Sequence, residues 1–217
     1  MARHAVELPE PQVAELDRFR ELLWDWNEKI NLTGHRTFDK FVGRDIIDSI
    51  AFAKFLEPNE KILDVGTGGG LPGVILAIIR PDLDVSLCDS IAKKAQTVRK
   101  IVTKLGLDVP VYEKSAQEVL RKQSFDTLVV RAVARIKSLM KWFKPHWESF
   151  DRMVILKGPS WVDERSEARH AGFLRSMVVK KLASYPMPGT FAESVLLQIT
   201  PETARARSRS PWQGRTL

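Results

Sequence analysis

The 217-residue chain contains one cysteine, Cys88. A single thiol excludes a disulfide framework and fits a reducing compartment, so a cytoplasmic location is expected. Long hydrophobic runs are missing too. The longest, "GVILAII" (Gly73–Ile79), is too short to cross a bilayer, which argues for a soluble protein. The opening stretch "MARHAVELPEPQ" has no apolar core of the kind a secretory signal needs. No internal repeat occurs. Acidic residues fall short of basic ones, 27 against 34, for a formal charge of +7. That excess fits a polyanionic partner such as nucleic acid, and it equally fits ordinary mild basicity.

The chain does hold enough apolar residues, 44%, for a normal core. Its length fits one large domain or a domain with an extension. "PQVAELDRFRELLWDWNEKINLT" places Val13, Leu16, Phe19, Leu23, Trp26 and Ile30 at helical spacing. "TFDKFVGRDIIDSIAFAKFLEP" reads as a second helix, with Thr37 as N-cap and Pro58 beyond its end. The pattern then changes. "KILDVG", "DVSLCDS", "VPVYEK", "FDTLVVR" and "DRMVILKG" read as strands alternating with helices, and "SMVVKKLASY" and "SVLLQIT" as two closing strands. Such alternation implies parallel crossovers and a sheet covered on both faces. The expected fold is α/β and Rossmann-like: seven strands, mostly parallel, the last two forming a long hairpin. Residues 1–58 are expected to form a helical extension packed on the core, 59–202 the core, and 203–217 a basic, mobile tail with four arginines and no acid.

"DVGTGGGLPG" is the segment richest in chemical information. Five glycines, Gly66, Gly68, Gly69, Gly70 and Gly73, fall between a strand ending at Asp64 and a helix with Pro72 near its start. Open parallel sheets bind ligands at this position, and glycine lets a ligand press against the backbone. A dinucleotide fingerprint, G-x-G-x-x-G, is broken: counted from Gly66 its sixth position is Leu71. The alternative count from Gly68 reaches Gly73 only by placing Pro72 inside the motif. Asp89 ends the next strand, where an acid takes ribose hydroxyls or caps the following helix.

"DVGTGGG" with "CDS" downstream resembles the class I S-adenosylmethionine-dependent methyltransferases. "WNEKINLT" (Trp26–Thr33), "RDIIDSI" (Arg44–Ile50), "GLPG", "CDSIAKK", "VVRAVA" (Val129–Ala134) and "LKG" (Leu156–Gly158), in this order, are similar to the RsmG (GidB) family. The resemblance covers roughly residues 20–160. It implies a guanine-N7 methyltransferase of small-subunit (16S) ribosomal RNA, with S-adenosylmethionine as cofactor. It also implies ribosomal RNA or the small subunit as partner, no metal and no membrane. The cofactor contacts it implies are Gly66, Gly68, Leu71, Ala116, Gln117 and Arg131, with Asp89 as ribose acid. Asn31 and Lys157 occupy family positions near the pocket and, with Arg131, are the catalytic candidates. Three positions depart from the pattern. Asp45 stands where the family usually has His, and Val130 where it has Ser or Thr. The stretch before the last strand, around 190–195, lacks the usual Glu-Arg-His element.

The residues also bear on the acceptor. Carbon-5 methylation of a pyrimidine needs a cysteine nucleophile, and Cys88 lies on the second strand, away from the acceptor. The Asn/Asp-Pro-Pro-aromatic pattern of amine methylases is replaced by "RAVA". Guanine N7 needs no general base. Arg131, at the end of the fourth strand, is expected to fork onto the cofactor carboxylate or an RNA phosphate and to add little to the core. Lys157 reads as a phosphate or base contact, or as a solvated lysine. Asp45 and Asp48 read as partners of Arg44, or as an exposed helix face. The six tryptophans read mostly as core, with Trp142 and Trp147 as alternative RNA stackers beside Lys141, Lys144 and His146. A monomer is expected. The rival readings are a methyltransferase of another RNA or position, a nicotinamide oxidoreductase and a non-catalytic RNA-binding module.

RNA binding should weaken steeply with salt, because phosphate contacts release counterions. Deleting residues 204–217 removes four arginines, so the log–log salt slope should fall by about four units at most. The base modified should stay the same. Binding isotherms at several salt concentrations, with mapping of the methylated base, check both points.

Overall fold

A computed structural model describes residues 6–187 and 192–202. The expected basic tail and part of the segment departing from the family pattern lie outside the described residues. The elements are α1 (Glu10–Asn27), α2 (Phe38–Lys40), a π-helical segment (Phe41–Ile46), α3 (Ile47–Ala53), β1 (Lys61–Val65), α4 (Gly73–Ile79), β2 (Asp84–Cys88), α5 (Ala92–Leu105), β3 (Val111–Tyr112), α6 (Ala116–Leu120), β4 (Phe125–Arg131), α7 (Ile136–Phe143), β5 (Phe150–Lys157), α8 (Trp161–His170), β6 (Met177–Pro186) and β7 (Glu193–Pro201). One seven-stranded sheet has the order β3-β2-β1-β4-β5-β7-β6. β1 to β5 run parallel, and β7 is antiparallel to both β5 and β6. The fold expectation therefore holds, including the closing hairpin.

Strand residues alternate between two cores. Ile62, Val85, Leu87, Val129, Val154 and Leu196 pack on the face covered by α1, α3, α4 and α5. Leu63, Val65, Val130, Met153, Ile155 and Leu197 pack on the face covered by α6, α7 and α8. Val130 is thus core, 2% exposed, and its departure from the family pattern concerns packing with the second helix layer.

α1 stops earlier than its periodicity predicts. Asn27, buried at its last position, accepts hydrogen bonds from the Leu32 and Thr33 amides at 2.7 and 3.0 Å and donates to the Thr33 carbonyl at 3.0 Å. The chain turns there instead of continuing to Ile30 as helix. Thr37 does cap the next helix, accepting from the Lys40 amide at 3.3 Å.

The tryptophan expectation holds for four of the five described: Trp24 and Trp26 pack, partly buried, against one core and Trp147 and Trp161 against the other, while Trp142 is exposed. Their wide rings serve as platforms for cations: Arg20 lies 4.6 Å over Trp24, Lys100 5.1 Å over Trp26 and Arg165 5.5 Å over Trp161. Trp142 is 39% exposed, whereas Trp147 packs on Phe150 at 4.6 Å between ring centroids.

At the opposite end of the sheet from the glycine turn, Arg152 is clamped on buried Glu60. Its Nη2 donates to both carboxylate oxygens at 2.9 Å and to the Phe55 carbonyl at 2.8 Å, and its Nε donates to Thr127 at 2.7 Å. Thr127 in turn donates to Glu60. Charge-assisted, bidentate geometry compensates burial of the pair. Arg152→Ala would leave Glu60 charged and unpaired, and should destabilise the protein by about 3 kcal/mol or more. Urea denaturation at neutral pH measures this.

Candidate active site

Asp64 builds the glycine turn. Its Oδ2 accepts from Thr67 Oγ1 at 2.6 Å and from the Gly73 amide at 2.9 Å, tying the start of the turn to the start of α4. A Cβ on Gly73 would come within 2.1 Å of Leu87 Cδ2 and 2.7 Å of Asp64 Oδ2, so only glycine fits. Gly66, Gly68 and Gly70 have φ of +65°, +58° and +89°, the left-handed region where a Cβ is costly. At Gly68 the space is open: the nearest atom to a built Cβ is the Leu32 carbonyl oxygen, at 3.7 Å.

Asp89 combines elements of both sequence readings. Its Oδ2 accepts from the Gly68 amide at 2.9 Å and its Oδ1 from the Ile91 amide at 2.8 Å. It binds the end of β2 to the glycine turn and to the approach of α5, although Ile91, not Asp89, is the N-cap. Each oxygen retains a lone pair for a ligand hydroxyl. The turn therefore fits an adenosine-type cofactor: open backbone at Gly68, an acid fixed beside it, and Ala116 and Gln117 opening α6. Ser115 and Glu118 form a capping box around that helix start. Leu71 is buried in the core, and its amide donates to the Thr67 carbonyl at 3.0 Å.

A cavity of about 400 Å³ adjoins the carboxyl ends of β4 and β5, lined among others by His35, Arg44, Asp48, Arg131, Lys157 and Glu164. Alternation decides what each strand end does. Val129 and Arg131 point to the face of the N-terminal helices. There Arg131 pairs with Asp45 at 2.8 Å and Asp48 at 3.3 Å, with its side chain only 13% exposed. Both carboxylates are buried, which overturns the reading of an exposed acidic helix face; Asp48 still feels the charge of Arg44, but the direct ion pairs go to Arg131. Asp45 also meets His35 Nδ1 at 2.9 Å, so a departure from the family pattern supplies the closer ion pair.

Burial raises the Asp48 pKa despite the opposing pull of Arg131. Tyr185 completes the cluster, donating to Asp48 Oδ1 at 2.7 Å. It gets there through a bulge. The β6 register shifts between Lys181 and Ala183, so Met177 and Val179 face one core while Ala183 and Tyr185 face the other.

Ile155 and Lys157 point the other way, toward α8. Lys157 Nζ donates to the Ala134 carbonyl and pairs with Glu164 at 2.7 Å. The solvated-lysine reading is thereby excluded. Asn31 is exposed on the loop after α1, next to Leu32, whose carbonyl borders the open space at Gly68; it does not line the cavity that Arg131 and Lys157 share. Cys88 is buried, its thiol pushed up to about 12 by burial, and its Sγ bonds the Asp64 carbonyl at 3.6 Å. Among the described residues no group of acids, histidines and cysteines could hold a metal, and no helix is long and apolar enough to cross a membrane. Sequence reasoning missed His35, Glu164 and Tyr185. None lies in a motif, and each meets its partner only through tertiary contact.

Two measurements follow from these buried charges. Burial raises Asp64 from 3.8 to about 6, against the hydrogen bonds from Thr67 and Gly73. A carboxyl whose folded pKa is raised contributes stability that is present below pH 3.8 and lost as pH rises through about 6. The wild type should therefore lose up to roughly 3 kcal/mol relative to Asp64→Asn between pH 4 and 7, with no further change above. Urea midpoints of both proteins across that range decide it; a pH-independent difference contradicts it. Arg131→Ala should destabilise the protein by about 3–5 kcal/mol, since two buried carboxylates lose their cation. This corrects the expectation that a strand-end arginine contributes little to the fold. Arg131→Lys keeps the charge and should lose less in the same denaturation assay.

Comparison with known proteins agrees with this geometry. Residues 12–188 match the profile of the family described as "GidB: rRNA small subunit methyltransferase G". The ribosomal RNA small subunit methyltransferase G of Rhodopirellula baltica is 43% identical over 187 residues, covering 86% of this chain and 81% of that protein. Its Chromobacterium violaceum counterpart is 34% identical, covering 92% and 93%. Among solved structures, M. capricolum TrmK with S-adenosylhomocysteine superposes with a TM-score of 0.57 at 16% identity, covering 71% of this chain and 67% of that one. MtNAS with MTA and tNA gives 0.55 at 20% identity, covering 86% and 70%. These two likenesses bear on the fold. With the match spanning the N-terminal helices, the glycine turn and both strand ends that line the cavity, the chain belongs to the GidB family, the rRNA small subunit methyltransferases G.

Proposed function

We propose that this protein transfers a methyl group from S-adenosylmethionine to N7 of a guanine in small-subunit (16S) ribosomal RNA, as a cytoplasmic monomer. One observation carries the reading: β1, which runs into a glycine turn open at Gly68, pairs with β4, whose carboxyl end borders the cavity. Cofactor and acceptor take adjoining places on one edge of the sheet, and most of the rate comes from holding them in line. The cofactor supplies a methyl group activated by a sulfonium.

Gly66 and Gly68 would approach it with bare backbone, and Leu71 with its own backbone. Asp89 would accept from its ribose, and Ala116 and Gln117 would border its base. Arg131, held by two carboxylates, presents a fixed positive charge at the boundary between the two sites. Guanine N7 brings its own lone pair and loses no proton on methylation. The chain therefore needs no free base there, and Asp45 and Asp48 are already engaged by Arg131, His35 and Tyr185. The buried, neutral Cys88 speaks against covalent carbon-5 chemistry. The formal charge of +7 fits an RNA partner of either form, isolated or assembled into the subunit.

The test is transfer of tritiated methyl from S-adenosylmethionine to small-subunit RNA, followed by mapping of the modified base. A label on N7 of one guanine is expected; label elsewhere or none overturns the proposal. Calorimetry should find binding of S-adenosylmethionine and none of NAD. Gly68→Val combines a left-handed backbone with a branched side chain. It should lose at least tenfold in cofactor affinity and about 1–2 kcal/mol in stability.

A further inference from the structure

Lys157 and Glu164 form a matched donor and acceptor on the wall of the β4–β5 cavity. Each is locked. Glu164 Oε2 forms an ion pair with Lys157 Nζ at 2.7 Å and accepts from the Ile136 amide, the first of α7, at 3.0 Å. Lys157 Nζ also donates to the Ala134 carbonyl. Lys157 thus has N–H capacity beyond the Ala134 bond, and Glu164 has its second oxygen, Oε1, to offer a ligand. Both side chains are mostly buried, 11% and 12% exposed, so a ligand that failed to engage them would leave charged groups desolvated and underused.

From this pair we infer that Glu164, set by Lys157, determines the base accepted in the cavity, reading the Watson–Crick edge of guanine. The inference rests on the guanine reading proposed above. Guanine presents the O6 acceptor beside the N1–H donor. Lys157 donates to O6 and Glu164 Oε1 accepts from N1–H, an arrangement available to a base turned out of its stack. N7 lies on the far side of O6, so both contacts leave it free to face the methyl donor. Adenine and 2,6-diaminopurine present the reverse order, an amino donor at position 6 and an acceptor at N1. Against them Lys157 meets a donor and Glu164 meets a lone pair, and both contacts become repulsive. The fixed backbone anchors at Ala134 and Ile136 hinder the two side chains from exchanging places. Glu164 is thus a specificity-determining residue that touches substrate, and Lys157 both positions it and contacts O6.

The experiment uses small-subunit RNA carrying either guanine or 2,6-diaminopurine at the mapped target position. Both bases possess N7. Wild type, Glu164→Gln and Glu164→Ala are compared by kcat/KM on each RNA, and S-adenosylmethionine affinity is measured by calorimetry. Wild type should prefer guanine by about a hundredfold. Glu164→Gln keeps an oxygen for the Ile136 amide but can present either an N–H or a C=O to the base, so the preference should shrink about tenfold. In Glu164→Ala the preference should fall at least tenfold, to what the Lys157–O6 contact alone sustains, with cofactor affinity unchanged within about twofold. A residue that only held the start of α7 would depress both substrates alike. An unchanged guanine-to-diaminopurine ratio in the variants therefore overturns the inference while the proposed function stands. Absence of N7 methylation by wild type on the guanine RNA overturns the proposed function itself.

Discussion

Side chains along β4 and β5 alternate between two helix layers, and the last residue of each strand inherits that parity. Arg131 falls on the side of the N-terminal helices and meets Asp45 and Asp48. Lys157 falls on the other side and meets α8 at Glu164. The two cations stand at neighbouring strand ends and line one cavity, yet they answer to opposite layers of the molecule. A one-residue slip of either strand would exchange these environments and place an unpaired charge in a core. The two ion pairs and the sheet register are therefore mutually dependent.

The N-terminal helices are consequently part of the site and not only an attachment to it. Asp45 lies in the π-helical segment and Asp48 in α3, and together they hold the strand-end arginine. Asn27 closes the loop that carries Leu32 and Thr33, and Leu32 in turn packs against Gly69 of the glycine turn. The turn is thus braced from outside by the loop after α1 and from beneath by Asp64. Single π-helical turns inserted among α-helical ones recur at functional sites. Here the insertion sits where the chain delivers an acid to the arginine that lines the cavity.

The glycine turn, the sheet and the closing hairpin were legible in sequence because local rules generate them. Gly66, Gly68 and Gly70 occupy φ values that residues with a Cβ adopt only at a cost, and the strands announce themselves by short apolar runs between helical periods. Asp89 was legible as a strand-end acid, but its two amide partners were not. The pairing of Arg131 was misread. An arginine after "TLVV" looks like a solvent-facing terminus until the N-terminal helices are laid over it. Tyr185 was unreadable for a further reason: the β6 bulge reverses which face its odd-numbered residues see, and nothing in "SMVVKKLASY" marks the reversal. Glu164 sat inside a polar helix whose many charges look alike until the cavity selects one.

Sequence alone determined the elements, their order and the glycine turn, since these follow from backbone stereochemistry and from hydrophobic periods of two and 3.6 residues. Tertiary structure decided which charges are buried together: Arg131 with Asp45 and Asp48, Lys157 with Glu164, Arg152 with Glu60. Ion pairs between residues far apart in the chain carry no local signature. Each is specified by strand register and by the helix layer that covers it, because a charge leaves water only where an opposite charge is already held to receive it.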